Sequence, residues 1–351
     1  MVDYRVEGAK DKMKVLHIPE VGEVRVEGES VPVPKAGEVL LKLAYVGFCG
    51  SDLNTFLGRN TMAKANVIPG HEIGATVAEL GEGVPASIKV GGVVTVNPYT
   101  NCGLCPSCRN LRPNACQHNE TLGVQRDGAM REFIAVPWQK AIPVEGISLR
   151  DCALIEPMSV GFHAVARAQV TDNDVVVVLG CGMVGLGAVV RAAQRGATVI
   201  AVDLSQEKLD IAKSLGAKFG VNSAKETIAE KVAELTGGMG ADVVIEAVGS
   251  PVTYVAAIDA VSFTGRVVCI GYAKSVVAFQ TKYFVQKELD IRGSRNAMPD
   301  DFRAVVRYLQ STDVPLDSLV SGVVPPEGAK DAMSRWAADP GKVFRILVKW
   351  S

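Results

Sequence analysis

The chain changes its hydrophobic rhythm about halfway along. From Met13 to about Val144, short apolar runs such as "VLLKLAYVG", "GATVAELG" and "GGVVTVNP" are cut by Gly and Pro, which predicts a compact β-rich unit. From about Asp174 the runs become continuous. "DVVVVLG", "ATVIAVDL", "ADVVIEAVG" and "GRVVCIG" lack polar alternation, as expected of strands buried on both faces. Between them, "SQEKLDIAKSLGA" and "ETIAEKVAELTGG" repeat apolar residues every three or four positions and close on Gly, the pattern of amphipathic helices. This alternation predicts an α/β fold with a doubly wound parallel sheet. After Gly293, "DDFRAVVRYLQS" reads as a helix and "KVFRILVKWS" as a strand, both expected to return to the first unit. No internal repeat or low-complexity segment is evident.

Composition narrows the function classes. The 351 residues leave room for one large domain or two ordinary ones. Hydrophobic residues at 48% and charged residues at 21% place the chain among soluble globular proteins. A formal net charge of −1 gives no general attraction for nucleic acid or anionic lipid, so the expected partners are small molecules and further copies of the chain. The opening "MVDYRVEGAKDKMKV" has no apolar export core, and a cytoplasmic location is expected. The most apolar stretch, Val175 to Val190, is short for a membrane span and is broken by Gly180, Gly182, Gly185 and Gly187; it reads as buried core, with no membrane partner.

Four of the eight cysteines fall within "CGLCPSCRNLRPNAC", at Cys102, Cys105, Cys108 and Cys116. Disulfides fit poorly, because there is no export signal and three cysteines spaced by three gather around one point more readily than they pair. Four thiolates at tetrahedral zinc distance, wrapped by turns at Gly103, Pro106 and Pro113, make a closed structural site. Such a zinc has no position left for substrate. A redox or iron–sulfur cluster is the alternative use of the same donors.

A second set is scattered: Cys49 in "GFCGSD", His71 and Glu72 in "PGHEIG", and Glu156 in "IEPMSVGFHAV". Each stands beside Gly or Pro in apolar sequence, where an unpaired charge would be costly to bury. A metal offsets that cost, and three protein ligands with one open position is the pattern of catalytic zinc.

"VVVVLGCGMVGLG" carries G-x-G-x-x-G at Gly180, Gly182 and Gly185, after a strand and before a helix, the order that a dinucleotide requires. With Met183 and Val184 at the helix start, these are the cofactor-binding candidates, and the helix N-terminus faces the pyrophosphate. Asp203 ends the next apolar run. Its carboxylate suits the ribose hydroxyls of NAD and would repel the 2′-phosphate of NADP. Asp203 could also cap the following helix, a task that suits Ser205 better. Cys181 reads as a small packed residue, and His118 and His163 as structural.

Taken in order, "GFCGSD", "GHEIGATV", the four-cysteine lobe, "IEPMSVGFHAV" and "VLGCGMVGLG" resemble the zinc-containing medium-chain alcohol and polyol dehydrogenases over nearly the whole chain. Sorbitol, threonine and sugar-acid dehydrogenases are the more similar members. The resemblance implies a GroES-like catalytic domain at 1–160 completed by 299–351, and a Rossmann NAD-binding domain at 161–298, with the active site in the cleft. It implies two zinc ions per chain, cytoplasmic carbohydrate metabolism and a homodimer or homotetramer. By similarity Cys49 and His71 are zinc ligands, Glu72 and Glu156 are alternative third ligands, and Ser51 passes the alcohol proton toward the cofactor ribose and solvent.

"ETLGVQRDGAMREF" and "IRGSRNAMPDDF" look most like L-galactonate and related sugar-acid dehydrogenases. Arg126 and Arg295 are the candidates for gripping an anionic or polyhydroxylated substrate; a cofactor phosphate or a neighbouring subunit is the alternative partner for either. A 3-hydroxy amino acid or a sugar-alcohol phosphate is the alternative substrate. Outside this class stand an NAD-binding interaction protein without turnover and a zinc-free quinone reductase, both disfavoured by the scattered ligand set.

Overall fold

The computed structural model describes residues 12–312 and 316–351, and the chain forms two compact units. The first draws on the described residues of Met1–Thr100, Asn119–Leu154 and Val320–Ser351. Its seven-stranded sheet runs Gly322–Val324, Ile346–Lys349, Glu38–Phe48, Glu72–Leu80, Val93–Val96 and Ala141–Pro143, with Phe133–Pro137 pairing beside Glu38–Phe48. A separate hairpin pairs Met13–His17 with Arg25–Glu29. The long strand Glu38–Phe48 is the spine of this unit. Val39, Leu41, Leu43, Val46 and Phe48 are fully buried and join Ile73, Ala75 and Val77 of its neighbour in one core, where burial at roughly 25 cal/mol per Å² supplies the main stabilisation.

The second unit, Asn101–His118 with the described residues of Ile155–Leu319, holds a six-stranded sheet in the order Phe219–Asn222, Thr198–Asp203, Val175–Leu179, Ala241–Glu246, Val261–Cys269, Asp290–Gly293. Every pairing is parallel. The first strand in chain order is therefore central, and the order reverses between Val175–Leu179 and Ala241–Glu246, the crevice where doubly wound sheets bind dinucleotides. The apolar runs appear as strands buried on both sides: Val176 to Leu179, Val199 to Ala201 and Val243 to Ile245 have no exposed surface.

Helices Ile155–Ala168 and Met183–Gln194 cross at two glycines. A β-carbon on Gly161 would fall 2.2 Å from Val184 O, and one on Gly187 would fall 2.5 Å from Met158 O, so any larger residue would prise the helices apart. Helix Pro299–Ser311 buries Phe302, Val305 and Val306 and sets Tyr308 against Phe162, ring centroids 6.3 Å apart. That packing places it in the second unit, whereas the expected boundary fell just before it. Strand Ile346–Lys349 does return to the first unit, pairing with Glu38–Phe48.

Candidate functional site

In the first unit the ladder register brings three chain segments to one point. Strand Glu38–Phe48 pairs antiparallel with Glu72–Leu80, Gly47 opposite Glu72, and on its other edge with Ile346–Lys349, Phe48 opposite Ile346. Cys49 just beyond the first strand, His71 just before the second and Arg345 just before the third are thus neighbours at the end of the sheet. Ligand atoms of Cys49, His71 and Glu72 lie within 4.8 Å of one another. The turn ahead of His71 is held from below: Gly128 N donates to Ile68 O and Met130 N to Pro69 O. The loop that makes these bonds carries Arg126.

The electrostatics of this cluster suit a cation. Burial pushes the Cys49 thiol up, but the hydrogen bond and charge of His71, aided by Arg345, outweigh it and bring the group below its ordinary value. Asp52 is fully buried and burial raises it, against the pull of His71, of the Cys49 N–H and of Arg345; its Oδ2 accepts the Cys49 N–H at 2.8 Å. Arg345 Nη1 stands 3.0 Å from Glu72 Oε1. Ser51 Oγ is buried with no hydrogen-bond partner among the described residues. Thiolate, imidazole and carboxylate together are a zinc donor set.

Glu156 lies in the second unit, in the first turn of helix Ile155–Ala168, and is 4% exposed. The four cysteines are also there. Their sulfurs stand 3.5 Å (Cys105 to Cys108), 3.8 Å (Cys105 to Cys116) and 3.6 Å (Cys102 to Cys116) apart. Four atoms about 2.3 Å from a tetrahedral centre stand about 3.8 Å apart, so the cluster fits zinc and is far too open for disulfides at about 2.05 Å. Backbone N–H groups of Cys108 and Gln117 hold the Cys105 thiol down to about 6, while burial and then the neighbouring thiols push Cys108 up to about 11. A dication at the centre removes that opposition.

Arg295 and His163 anchor this lobe. The Arg295 guanidinium donates to Cys116 O at 3.2 Å, and its carbonyl accepts Asn114 Nδ2 at 2.8 Å. Buried His163 lies between Asp301 Oδ2 on Nδ1 (2.8 Å) and Asn114 Nδ2 on Nε2 (2.9 Å). Arg126, in the first unit, donates to Pro98 O at 3.4 Å; burial lowers its pKa, opposed by Glu120, and its Nε is buried without a partner among the described residues. His118 contacts Gln117.

In the glycine turn each glycine has its own reason. Gly180 has φ +94°, and a β-carbon there would meet Val248 Cγ2 at 2.6 Å; one on Gly185 would meet Gly180 O at 1.8 Å; one on Gly182 would meet nothing within 4 Å. Gly182, the N-cap of helix Met183–Gln194, thus presents bare backbone to an approaching phosphate. Met183 is buried in the first turn beside Val184. Asp203 Oδ2 accepts the Cys181 N–H at 2.8 Å and Oδ1 the Ser205 N–H at 2.9 Å. Ser205, not Asp203, caps the next helix. Burial pushes the Cys181 thiol far up, in keeping with a packed residue. The cradle fits a dinucleotide.

Three buried charged side chains beside these sites escaped the sequence reading. Arg345 and Asp52 face the cysteine–histidine cluster. Glu246, fully buried, clips the loop beside the glycine turn: its Oε1 accepts Val248 N (3.0 Å), Gly249 N (2.8 Å) and Thr253 Oγ1 (2.7 Å). The one available signal was a charged residue at the end of an apolar strand, as in "VVIEAVG" and "VFRILV".

Comparison with known proteins follows this geometry. Residues 35–146 match the alcohol dehydrogenase GroES-like domain and residues 184–311 the zinc-binding dehydrogenase domain. An L-galactonate-5-dehydrogenase of Escherichia coli is 33% identical, covering 88% of this chain and 91% of its own. A sorbitol dehydrogenase of Halalkalibacterium halodurans is 34% identical, covering 86% and 88%. Among solved structures, the alcohol dehydrogenase rspB of E. coli in complex with NADH superimposes with a TM-score of 0.89 at 29% identity, covering 97% and 99%. No helix among the described residues is long and apolar enough to cross a membrane.

Proposed function

The chain belongs to the zinc-binding medium-chain dehydrogenases, and from that premise we propose that it moves a hydride between NAD and a secondary alcohol of a polyol or sugar acid. It is a zinc alcohol dehydrogenase, an oxidoreductase acting on CH–OH donors, with donor sets for two zinc ions. The observation that carries the reading is the convergence of Cys49, His71 and Glu72, a mixed donor set distinct from the closed four-cysteine lobe.

Cys49 and His71 hold the catalytic zinc, with Glu72 or Glu156 as third ligand. When bound, zinc supplies Lewis acidity that makes a hydroxyl acidic near neutral pH, and NAD accepts the hydride. Ser51, whose buried Oγ has no partner among the described residues, takes the alcohol proton toward the ribose and solvent. Gly180, Gly182 and Gly185, with Met183 and Val184, seat the pyrophosphate, and Asp203 receives the ribose hydroxyls, which favours NAD over NADP. The relatives acting on L-galactonate and sorbitol support a polyhydroxylated substrate. Arg126 meets its anionic end, supported by a buried Nε without a hydrogen-bond partner among the described residues; Arg295 is a weaker candidate, since its guanidinium serves the cysteine lobe. Assembly as a homodimer or homotetramer in the cytoplasm goes with this function.

The test is a screen for NADH formation with sugar acids, polyols, polyol phosphates and 3-hydroxy amino acids, beside zinc analysis. Turnover confined to polyols or sugar acids in protein with two zinc ions per chain is expected. NAD binding without turnover on any of them would overturn the proposal.

A further inference from the structure

Two loops meet at the carboxyl ends of strands Ala241–Glu246 and Val261–Cys269. Glu246 pairs with Cys269 on one side and, on the other, with Leu179, the residue before the glycine turn. It holds both loops at once. Its carbonyl accepts the N–H groups of Ile270 (2.8 Å) and Gly271 (3.2 Å), and its fully buried carboxylate takes those of Val248 and Gly249 on Oε1, together with the Thr253 hydroxyl. The loops then touch backbone to backbone: a β-carbon on Gly249 would fall 2.7 Å from Tyr272 O, and one on Gly271 would fall 2.1 Å from Gly249 N. A side chain at either glycine would force the loops apart.

Tyr254 fastens the second loop from the helix side. It follows Thr253 in the first turn of helix Pro251–Ala260, its hydroxyl donates to Gly271 O at 2.6 Å, and its ring stands 6.5 Å from that of Phe279, centroid to centroid. Burial pushes the Cys269 thiol up to about 11, so it stays protonated and can donate to the same hydroxyl. Both main-chain polar groups of Gly271 are thus engaged, the N–H by Glu246 and the carbonyl by Tyr254. A dinucleotide straddles the point where strand order reverses. With its ribose at Asp203 and its pyrophosphate at the glycine turn, the half that remains has to lie over the ends of Ala241–Glu246 and Val261–Cys269. We propose that Tyr254 is a positioning residue for the nicotinamide half of the cofactor: with Glu246 it fixes the Gly271–Tyr272 backbone against which that half is placed. The inference rests on the reading that Asp203 and the glycine turn seat NAD.

The test compares two ligands on the intact enzyme by calorimetry: NADH, and ADP, which shares the adenosine and pyrophosphate but lacks the nicotinamide half. Tyr254→Phe deletes the hydroxyl and leaves the ring. It should weaken NADH by about three- to tenfold, the worth of one hydrogen bond, with no matching loss for ADP and no change in zinc content. Gly271→Ala, which drives a methyl into Gly249 N, should give the same selectivity with a larger loss for NADH, because a rigid backbone contact cannot relax around the added carbon. A general weakening of the fold would lower both affinities together and leave their ratio alone. The NADH-to-ADP affinity ratio in Tyr254→Phe therefore decides: a fall of about threefold or more supports the proposal, and a smaller change overturns it. If that variant does not fold, the same ratio in Gly271→Ala decides in its place. Wild-type protein that binds ADP as tightly as NADH would instead refute the cofactor reading, before any variant is compared.

Discussion

The four-cysteine lobe takes every donor from the stretch Cys102 to Cys116, whereas Cys49, His71 and Glu72 come from the ends of two strands and face a guanidinium, Arg345, that lies 297 positions from Phe48 along the chain. The lobe uses four like donors at near-tetrahedral spacing, a short segment closed around one point. The strand-end cluster mixes thiol, imidazole and carboxylate, and buries Asp52 and Arg345 alongside. Local spacing suffices to close a metal site. Leaving one open for chemistry takes a folded sheet that sets several buried charges against one another, each of which would be costly alone.

The sharpest way to break this contrast is Cys49→Ser. Turnover should fall by at least about a thousandfold, since zinc chemistry supplies several kcal/mol at the reacting centre. NADH binding, read by fluorescence titration, should persist, and zinc should drop by one ion per chain. The mirror experiment is Cys116→Ser. It should remove the other ion and lower Tm by about 5–10 °C, at roughly 2–4 °C per kcal/mol for domains of this size, while kcat of the folded fraction stays within about threefold. Equal losses of activity in the two variants would mean that the sites are not divided between chemistry and structure.

Smaller effects sharpen the picture away from the metals. Asp203→Ala should raise KM for NAD by about ten- to hundredfold, the worth of charge-assisted hydrogen bonds at about 1.5–3 kcal/mol, and improve use of NADP without changing zinc content. Arg126→Gln should raise KM for a sugar acid by about tenfold and leave KM for a neutral polyol within about twofold, as expected when one charge-assisted contact is lost. Equal effects on both substrates would make Arg126 a support for Pro98 and no more.

The sequence revealed those parts whose physics is local. The cysteine lobe and the glycine turn are contiguous, and the central strands Val175–Leu179, Thr198–Asp203 and Ala241–Glu246 are long apolar runs. Strands Phe219–Asn222 and Asp290–Gly293 were not legible: each has four residues, includes a glycine and lies at a sheet edge. Helix Pro299–Ser311 was readable as a helix, but which unit it joins depends on its contact with Phe162, and periodicity carries no such information. Cys49, His71 and Glu72 were grouped in the sequence, with Glu156, by their apolar setting next to Gly and Pro and then by family resemblance; what draws the first three to one point is strand register. Arg345 belonged to no motif and Gly47 opens "GFCGSD", but their contacts with Glu72 appear only once three strands lie side by side.

Metal analysis of fully active protein, with turnover followed as zinc is withdrawn, tests the central claim most directly. Two zinc ions per chain should be found, and activity should vanish in step with the ion whose binding is lost in Cys49→Ser, while the second stays in the cysteine lobe. Full activity in protein that carries zinc in the cysteine lobe alone would contradict the account.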